Sequence, residues 1–83
     1  MRSNLELWEI VRDNFDRFFI RGLCYTMFRL YIYKKIDANE FCKLYFELKN
    51  HGDTSIYFLG KRGDETIRKE FIEKMIKKHK NIL

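Results

Sequence analysis

Proline is absent from this chain and glycine is scarce, with four copies at positions 22, 52, 60 and 63. Without proline nothing breaks a helix from within, and so few glycines leave little material for the tight turns of a many-stranded β protein. The balance favours helices joined by short turns. Cysteine is sparse as well: Cys24 and Cys42 make at most one bridge. A small secreted domain usually carries several, so both are read as reduced thiols. No apolar run approaches the ~20 residues of a membrane helix, and Met1-Arg2-Ser3-Asn4 leads into no secretory apolar region. The expectation is a cytoplasmic protein with no membrane partner.

What is present is enough for one core. The 83 residues are 46% apolar and 35% charged, which argues against wholesale disorder and predicts a single helical domain over 1–83. A chain this short buries roughly 60% of the surface its unfolded form exposes.

Ser3 and Glu6 have the spacing of a capping box, so a first helix is predicted from Asn4. Trp8, Val11, Phe15 and Phe18, joined by Leu5 and Phe19, give it an apolar face that runs to about Ile20. Arg21-Gly22 interrupts the pattern. From Leu23 to Tyr33 the only charge is Arg29, and residues such as Cys24-Tyr25-Thr26-Met27-Phe28 do not alternate, so helix is favoured over strand. Leu23, Met27, Leu30 and Tyr31 are expected on one side of it, with Cys24, Tyr25, Phe28 and Ile32 covering much of the rest. Asp37 and Glu40 form a second capping box, with Ile36 and Phe41 at the two positions of a hydrophobic staple. The third helix follows, its face predicted as Phe41, Leu44, Tyr45 and Leu48, ending at Lys49-Asn50-His51-Gly52. Between Gly52 and Gly63 the apolar Ile56-Tyr57-Phe58-Leu59 is expected to pack back on the helices. Asp64 is predicted to cap a last helix with Ile67, Phe71, Ile72, Met75 and Ile76 inward and Lys77, Lys78, His79 and Lys80 in its final turn, where cations suit the helix dipole. The fold class is therefore all-α, a compact bundle of about four helices.

No catalytic signature accompanies this architecture, and no enzyme, cofactor or metal site is predicted. Cys24, Cys42, His51 and His79 are of the right types for zinc, but none has close ligand spacing. Cys24 is read as a small buried hydrophobe rather than an activated thiol. Gly60-Lys61-Arg62-Gly63-Asp64-Glu65-Thr66 lacks the order of a phosphate loop, and its acids occupy the positive end of the following helix. The start of the second helix differs, because Arg21-Gly22-Leu23-Cys24-Tyr25-Thr26 has no acid in its first turn. Its open amides with Arg21, Gly22 and Tyr25 are the preferred anion site. Tyr57, Lys61 and Arg62 are candidates to complete it in an oligomer.

The net charge of +5 is uneven, with the excess of base concentrated after residue 60. Lys61, Arg62, Arg68, Lys69, Lys77, Lys78 and Lys80 are able to neutralise phosphates. The order of Glu65 with Lys69, Glu70 with Lys74 and Glu73 with Lys77 fits a solvated helix face better. In a DNA-binding alternative the third helix, residues 38–49, enters the major groove with Asn39 and Lys43, while Glu40 and Glu47 oppose phosphate. Aromatics reach 17%, more than one small core requires, and the second helix has more apolar perimeter than one layer of neighbours covers. A homo-oligomer or a firmly held partner is therefore expected.

Gly22-Leu23-Cys24, the cluster Tyr57-Phe58-Leu59 and the closing stretch from Arg68 to Ile76 together resemble small bacteriophage-encoded accessory proteins of unassigned function. What the resemblance implies is a phage product that counters host defence by binding, in the host cytoplasm, and it assigns no residue a role. Two modes compete: sequestering an anionic nucleotide signal, or occluding a host defence protein. A small DNA-binding regulator is the alternative.

Overall fold

Two of the helices begin where side chains answer orphan backbone amides. The computed structural model describes residues 1–15, 22–51 and 65–81. Helix α1 spans Asn4–Asn14. The Ser3 hydroxyl accepts from the Glu6 amide at 3.2 Å, and the Glu6 carboxylate accepts from the Ser3 amide at 3.1 Å. That bond from Ser3 holds the Glu6 carboxyl below its ordinary range. Helix α3, Ala38–His51, starts in the same way, with the Glu40 amide donating to Asp37 Oδ1 at 2.8 Å and the Asp37 amide donating to Glu40 Oε1 at 2.9 Å. Both capping boxes lie where the spacing puts them.

Helix α2 spans Leu23–Ile32 and has no side-chain cap, because Gly22 occupies that position in an extended conformation. Its end is more distinctive. The Lys35 amide donates to the Leu30 carbonyl at 2.9 Å and the Lys34 amide to the Tyr31 carbonyl at 3.0 Å, which is the paired bonding of a Schellman turn. That turn needs a left-handed residue, and Lys34 fills it at φ 60° where glycine is usual. Helix α4, Glu65–Asn81, ends on Lys78, His79 and Lys80, so the predicted basic last turn is present.

Among the described residues the chain is thus four helices with no strand, the expected all-α bundle. The predicted end of the first helix at Ile20, the Asp64 cap, the side chain of Ile67 and the apolar Ile56–Leu59 stretch lie outside the described residues.

All four helices and the α2–α3 turn contribute to one core. Helix α1 inserts Leu7, Trp8 and Val11, followed by Phe15; α2 adds Leu23, Met27 and Leu30; α3 adds Leu44 and Leu48. From α4 come Phe71, Ile72, Met75 and Ile76, with the Trp8 and Phe71 rings edge to face at 5.7 Å between centroids. The radius of gyration, 11.6 Å, is what a compact chain of this length has, about 12 Å.

Three helix faces differ from the periodicity reading. On α3 the inward stripe is Glu40, Leu44, Glu47 and Leu48, while Phe41 is half-buried and Tyr45 exposed. The helix is turned so that Glu47 reaches donors inside the bundle and Glu40 reaches Arg2 and the Asp37 amide at its edge. On α2, Thr26 joins the core in place of Tyr31: its hydroxyl donates to the Gly22 carbonyl at 3.2 Å, so the one polar atom it buries is satisfied within its own helix. Tyr31, Phe28 and Ile32 are exposed instead. On α4 the guanidinium-bearing Arg68, assigned from sequence to a phosphate-neutralising set, is fully buried.

The left-handed Lys34 supplies a test of the turn. Its backbone conformation costs roughly 1–2 kcal/mol relative to glycine, partly offset by glycine's greater freedom when unfolded. Lys34→Gly is expected to raise stability by about 0.5–1 kcal/mol, read as a higher thermal midpoint. An unchanged or lower midpoint contradicts the turn as described.

Candidate interaction surface

The inward rotation of α3 decides what this part of the molecule shows to its surroundings. Glu47 Oε1 accepts from Asn4 Nδ2 at 2.8 Å and from the Trp8 indole N–H at 3.1 Å. His79 Nε2 lies 2.9 Å from both oxygens of the same carboxylate, where it donates. One carboxylate therefore joins α1, α3 and α4. Glu40, 2% exposed, is satisfied at the other end of the helix: Oε1 accepts from Arg2 Nη1 at 2.9 Å and Oε2 from the Arg2 amide at 3.0 Å, in addition to the Asp37 amide. The Asp37 amide bond is the chief cause that holds the Glu40 carboxyl below its ordinary value near 4.5, with Arg2 assisting against the cost of burial.

With both α3 acids turned inward, the outward side of α2 and α3 is aromatic and basic. Phe46 is 64% exposed and Phe28 46%, with Tyr31, Ile32, Tyr33 and Tyr45 also exposed. Tyr31, Phe41 and Tyr45 form a row across the two helices, with centroids 6.0 Å and then 6.3 Å apart. The exposed residues Phe28, Tyr31 and Ile32 stand at positions i, i+3 and i+4 of α2, hence on one face. Helix α2 contains no acid, and its only charge is Arg29. Lys34 and Lys35 follow in the turn, and Lys43 and Lys49 stand on α3. Asp37 is the one exposed acid between residues 22 and 50.

The row runs into an open cleft of about 490 Å³ beside the α2–α3 turn. Tyr31, Ile36 and Ala38 supply its apolar lining, and Arg2, Lys34, Lys35, Asp37 and Glu40 its charges. Glu40 is already engaged by Arg2 and the Asp37 amide, so the lysines dominate the accessible field.

Of the anion-site residues chosen from sequence, Gly22 and Tyr25 are described, while Arg21, Tyr57, Lys61 and Arg62 lie outside the described residues. Gly22 is buried, and its carbonyl accepts from both the amide and the hydroxyl of Thr26. The half-buried Tyr25 accepts from Arg29 Nε at 2.8 Å, with the guanidinium carbon 5.1 Å from the ring centre. That hydroxyl thus faces a cation one turn further along α2, and the bond raises the Arg29 guanidinium above its ordinary range. Cys24 and Cys42 are free thiols, and burial pushes the Cys24 thiol up, as befits a small packed hydrophobe. The DNA reading changes in detail: Asn39 is exposed, Lys43 Nζ donates to the Arg2 carbonyl at 3.2 Å, and Glu40 and Glu47 do not face outward.

Sequence reasoning missed the Glu47–His79 pairing, which is 32 residues long-range. A signal existed, because Glu40, Leu44, Glu47 and Leu48 share a helical stripe as well as Phe41, Leu44, Tyr45 and Leu48 do.

Because the folded Glu40 carboxyl binds a proton less readily than the unfolded one, stability rises with pH across the carboxylate range. Its contribution is complete above the ordinary value and is lost as pH falls through the lower folded one. Urea unfolding from neutral pH to pH about 3 is expected to show this loss, and Glu40→Gln to flatten it. An equal slope in the variant contradicts the assignment. No protein-family model, curated protein or solved structure matches the chain, so this geometry carries the functional reading.

Proposed function

We propose that the protein is a non-enzymatic accessory factor of the bacteriophage type that acts by occluding a host protein through the exposed aromatic face of α2 and α3. The observation that carries this reading is the placement of Phe28, Tyr31, Ile32 and Phe46 in solvent while smaller and even charged residues of the same helices are buried. Covering such a cluster is favourable by the hydrophobic effect, and large rings lose little conformational freedom when they dock. Scattered single apolar residues would carry no such meaning; here Phe28, Tyr31 and Ile32 share one face of α2, and the row Tyr31, Phe41 and Tyr45 joins that helix to α3.

Sequestration of an anionic nucleotide through Arg21, Lys61 and Arg62 is the competing mode. Tyr25, the aromatic proposed beside that ligand, already has one ring face toward Arg29, whereas the rings of Phe28 and Phe46 stand exposed. That exposure favours protein occlusion.

Capture from a bacterial extract with the wild-type chain and with a Phe28→Ser/Phe46→Ser variant tests the proposal, alongside titration calorimetry with cyclic nucleotides. Both replaced rings are exposed, so the variant is expected to remain folded. The expected result is a stoichiometric protein held by the wild type and lost from the variant, with no heat from any nucleotide. Identical captures by the two chains, or saturable nucleotide heat, contradict it.

A further inference from the structure

The charges around the exposed face say what kind of protein it fits. We infer that the α2–α3 face recognises an acidic, amphipathic polypeptide segment, whose apolar side chains lie along Tyr31, Phe41 and Tyr45 and whose carboxylates enter the turn cleft between Lys34 and Lys35. This rests on the reading of the face as a protein-docking surface and adds the chemistry of the partner.

Charge complementarity carries the inference. The acids of α3 are spent internally, Glu47 on Asn4, Trp8 and His79, and Glu40 on Arg2 and the Asp37 amide. Between residues 22 and 50 the exposed charges that remain are Lys34, Lys35 and Lys49, with the half-buried Arg29, against Asp37; at the cleft the exposed Glu6 of α1 faces Arg2, so Lys34 and Lys35 keep the rim basic. A partner segment of matching positive charge is repelled there, and an acidic one is attracted and oriented. The cleft adjoins the ring row through Tyr31, which belongs to both, so apolar and ionic contacts fall on one continuous track. Lys34 is held at the cleft rim by the Schellman bonds of its own turn, in a conformation glycine would adopt more easily. Lysine stands where glycine would make the turn less strained, which fits a use for the ammonium group.

The same observations weigh against two other occupants. A second copy of this chain in a two-fold arrangement would bring the same basic face against itself, and that face carries few exposed acids to answer its lysines. A nucleic-acid strand needs open ring faces for stacking. In the row itself Phe41 has Tyr31 on one side and Tyr45 stacked at 26° on another, and Tyr25 has Arg29, so the open rings, Phe28 and Phe46, are not shown next to one another as a stacking run requires.

A library of random peptides displayed on yeast, selected with the purified full chain, tests the partner chemistry directly. The wild type is expected to enrich peptides combining Asp or Glu with Leu, Phe, Tyr or Trp. Their binding should weaken about tenfold between low and high salt, and by at least about tenfold in Lys34→Glu/Lys35→Glu. Selection with that reversed variant should shift enrichment towards Lys and Arg. Lys35→Glu alone, which leaves the left-handed residue untouched, should show the same trend, and circular dichroism verifies the helical content of each variant. Enrichment of apolar peptides with no acidic bias overturns the inference while leaving the docking surface in place. Selection of nothing overturns both. A single-stranded thymidine oligomer that binds more tightly than the selected peptides, or a wild-type dimer in sedimentation that Phe46→Ser dissolves, also overturns the inference.

Discussion

A single carboxylate sets the phase of the molecule. Glu47 takes hydrogen bonds from Asn4 and Trp8 on α1 and from His79 on α4, and so fixes which way α3 faces. Burying a carboxylate is costly unless donors surround it, and a helix presenting one to an apolar core would otherwise roll until it met water. Here the donors are waiting on two other helices. Glu40 does the same at the start of α3 through Arg2 and the Asp37 amide, so the helix is pinned at both ends along one stripe. The leucines between them, Leu44 and Leu48, enter the core as a consequence. Replacing Glu47 leaves the Trp8 indole N–H stranded in the interior, whereas the donors to Glu40 lie at the surface, on Arg2 and Asp37.

Helix starts and element order were legible because they depend on neighbours a few residues apart. Ser3 with Glu6 and Asp37 with Glu40 announce themselves locally, and the structure forms both boxes. The apolar positions of α1 and α4 were legible for a similar reason: Trp8, Val11, Phe71 and Met75 follow the helical period, and all four are buried, although Arg68 shares the inward face of α4. Rotation about the α3 axis was not, since it is decided by Trp8 and His79, residues far away in the chain. Periodicity ranks residues by their own polarity and has no means of knowing that a glutamate will find an indole and an imidazole. The burial of Arg68 was likewise not legible from its own polarity. The candidate site shifted with it. Gly22 and Tyr25 proved to be tied into their own helix, whereas the exposed rings follow from a rotation that only the folded chain reveals.

Surface chemistry is thus a by-product of how the interior is satisfied. Turning two acids inward removes negative charge from the outside of α3 and rolls Tyr45 and Phe46 outward in the same movement. Beside the rings of α2 and α3 this leaves cations in excess, since Asp37 is the lone exposed acid between residues 22 and 50. Aromatic rings next to unopposed cations make a surface that discriminates by charge and holds by apolar contact, a division of labour common to protein interfaces. The left-handed Lys34 belongs to the same arrangement, giving up backbone ease at the rim of the cleft.

Trp8 is the chain's only tryptophan, so its indole proton gives one unambiguous resonance that reports on the Glu47 bond. Hydrogen exchange of that proton is the most direct measure of the inward orientation of α3. The wild type is predicted to exchange it far more slowly than free indole, and Glu47→Ala to abolish much of that protection while the α1 backbone amides remain protected. A wild-type indole proton exchanging at the rate of the free side chain would contradict the orientation of α3, and with it the surface that the orientation creates.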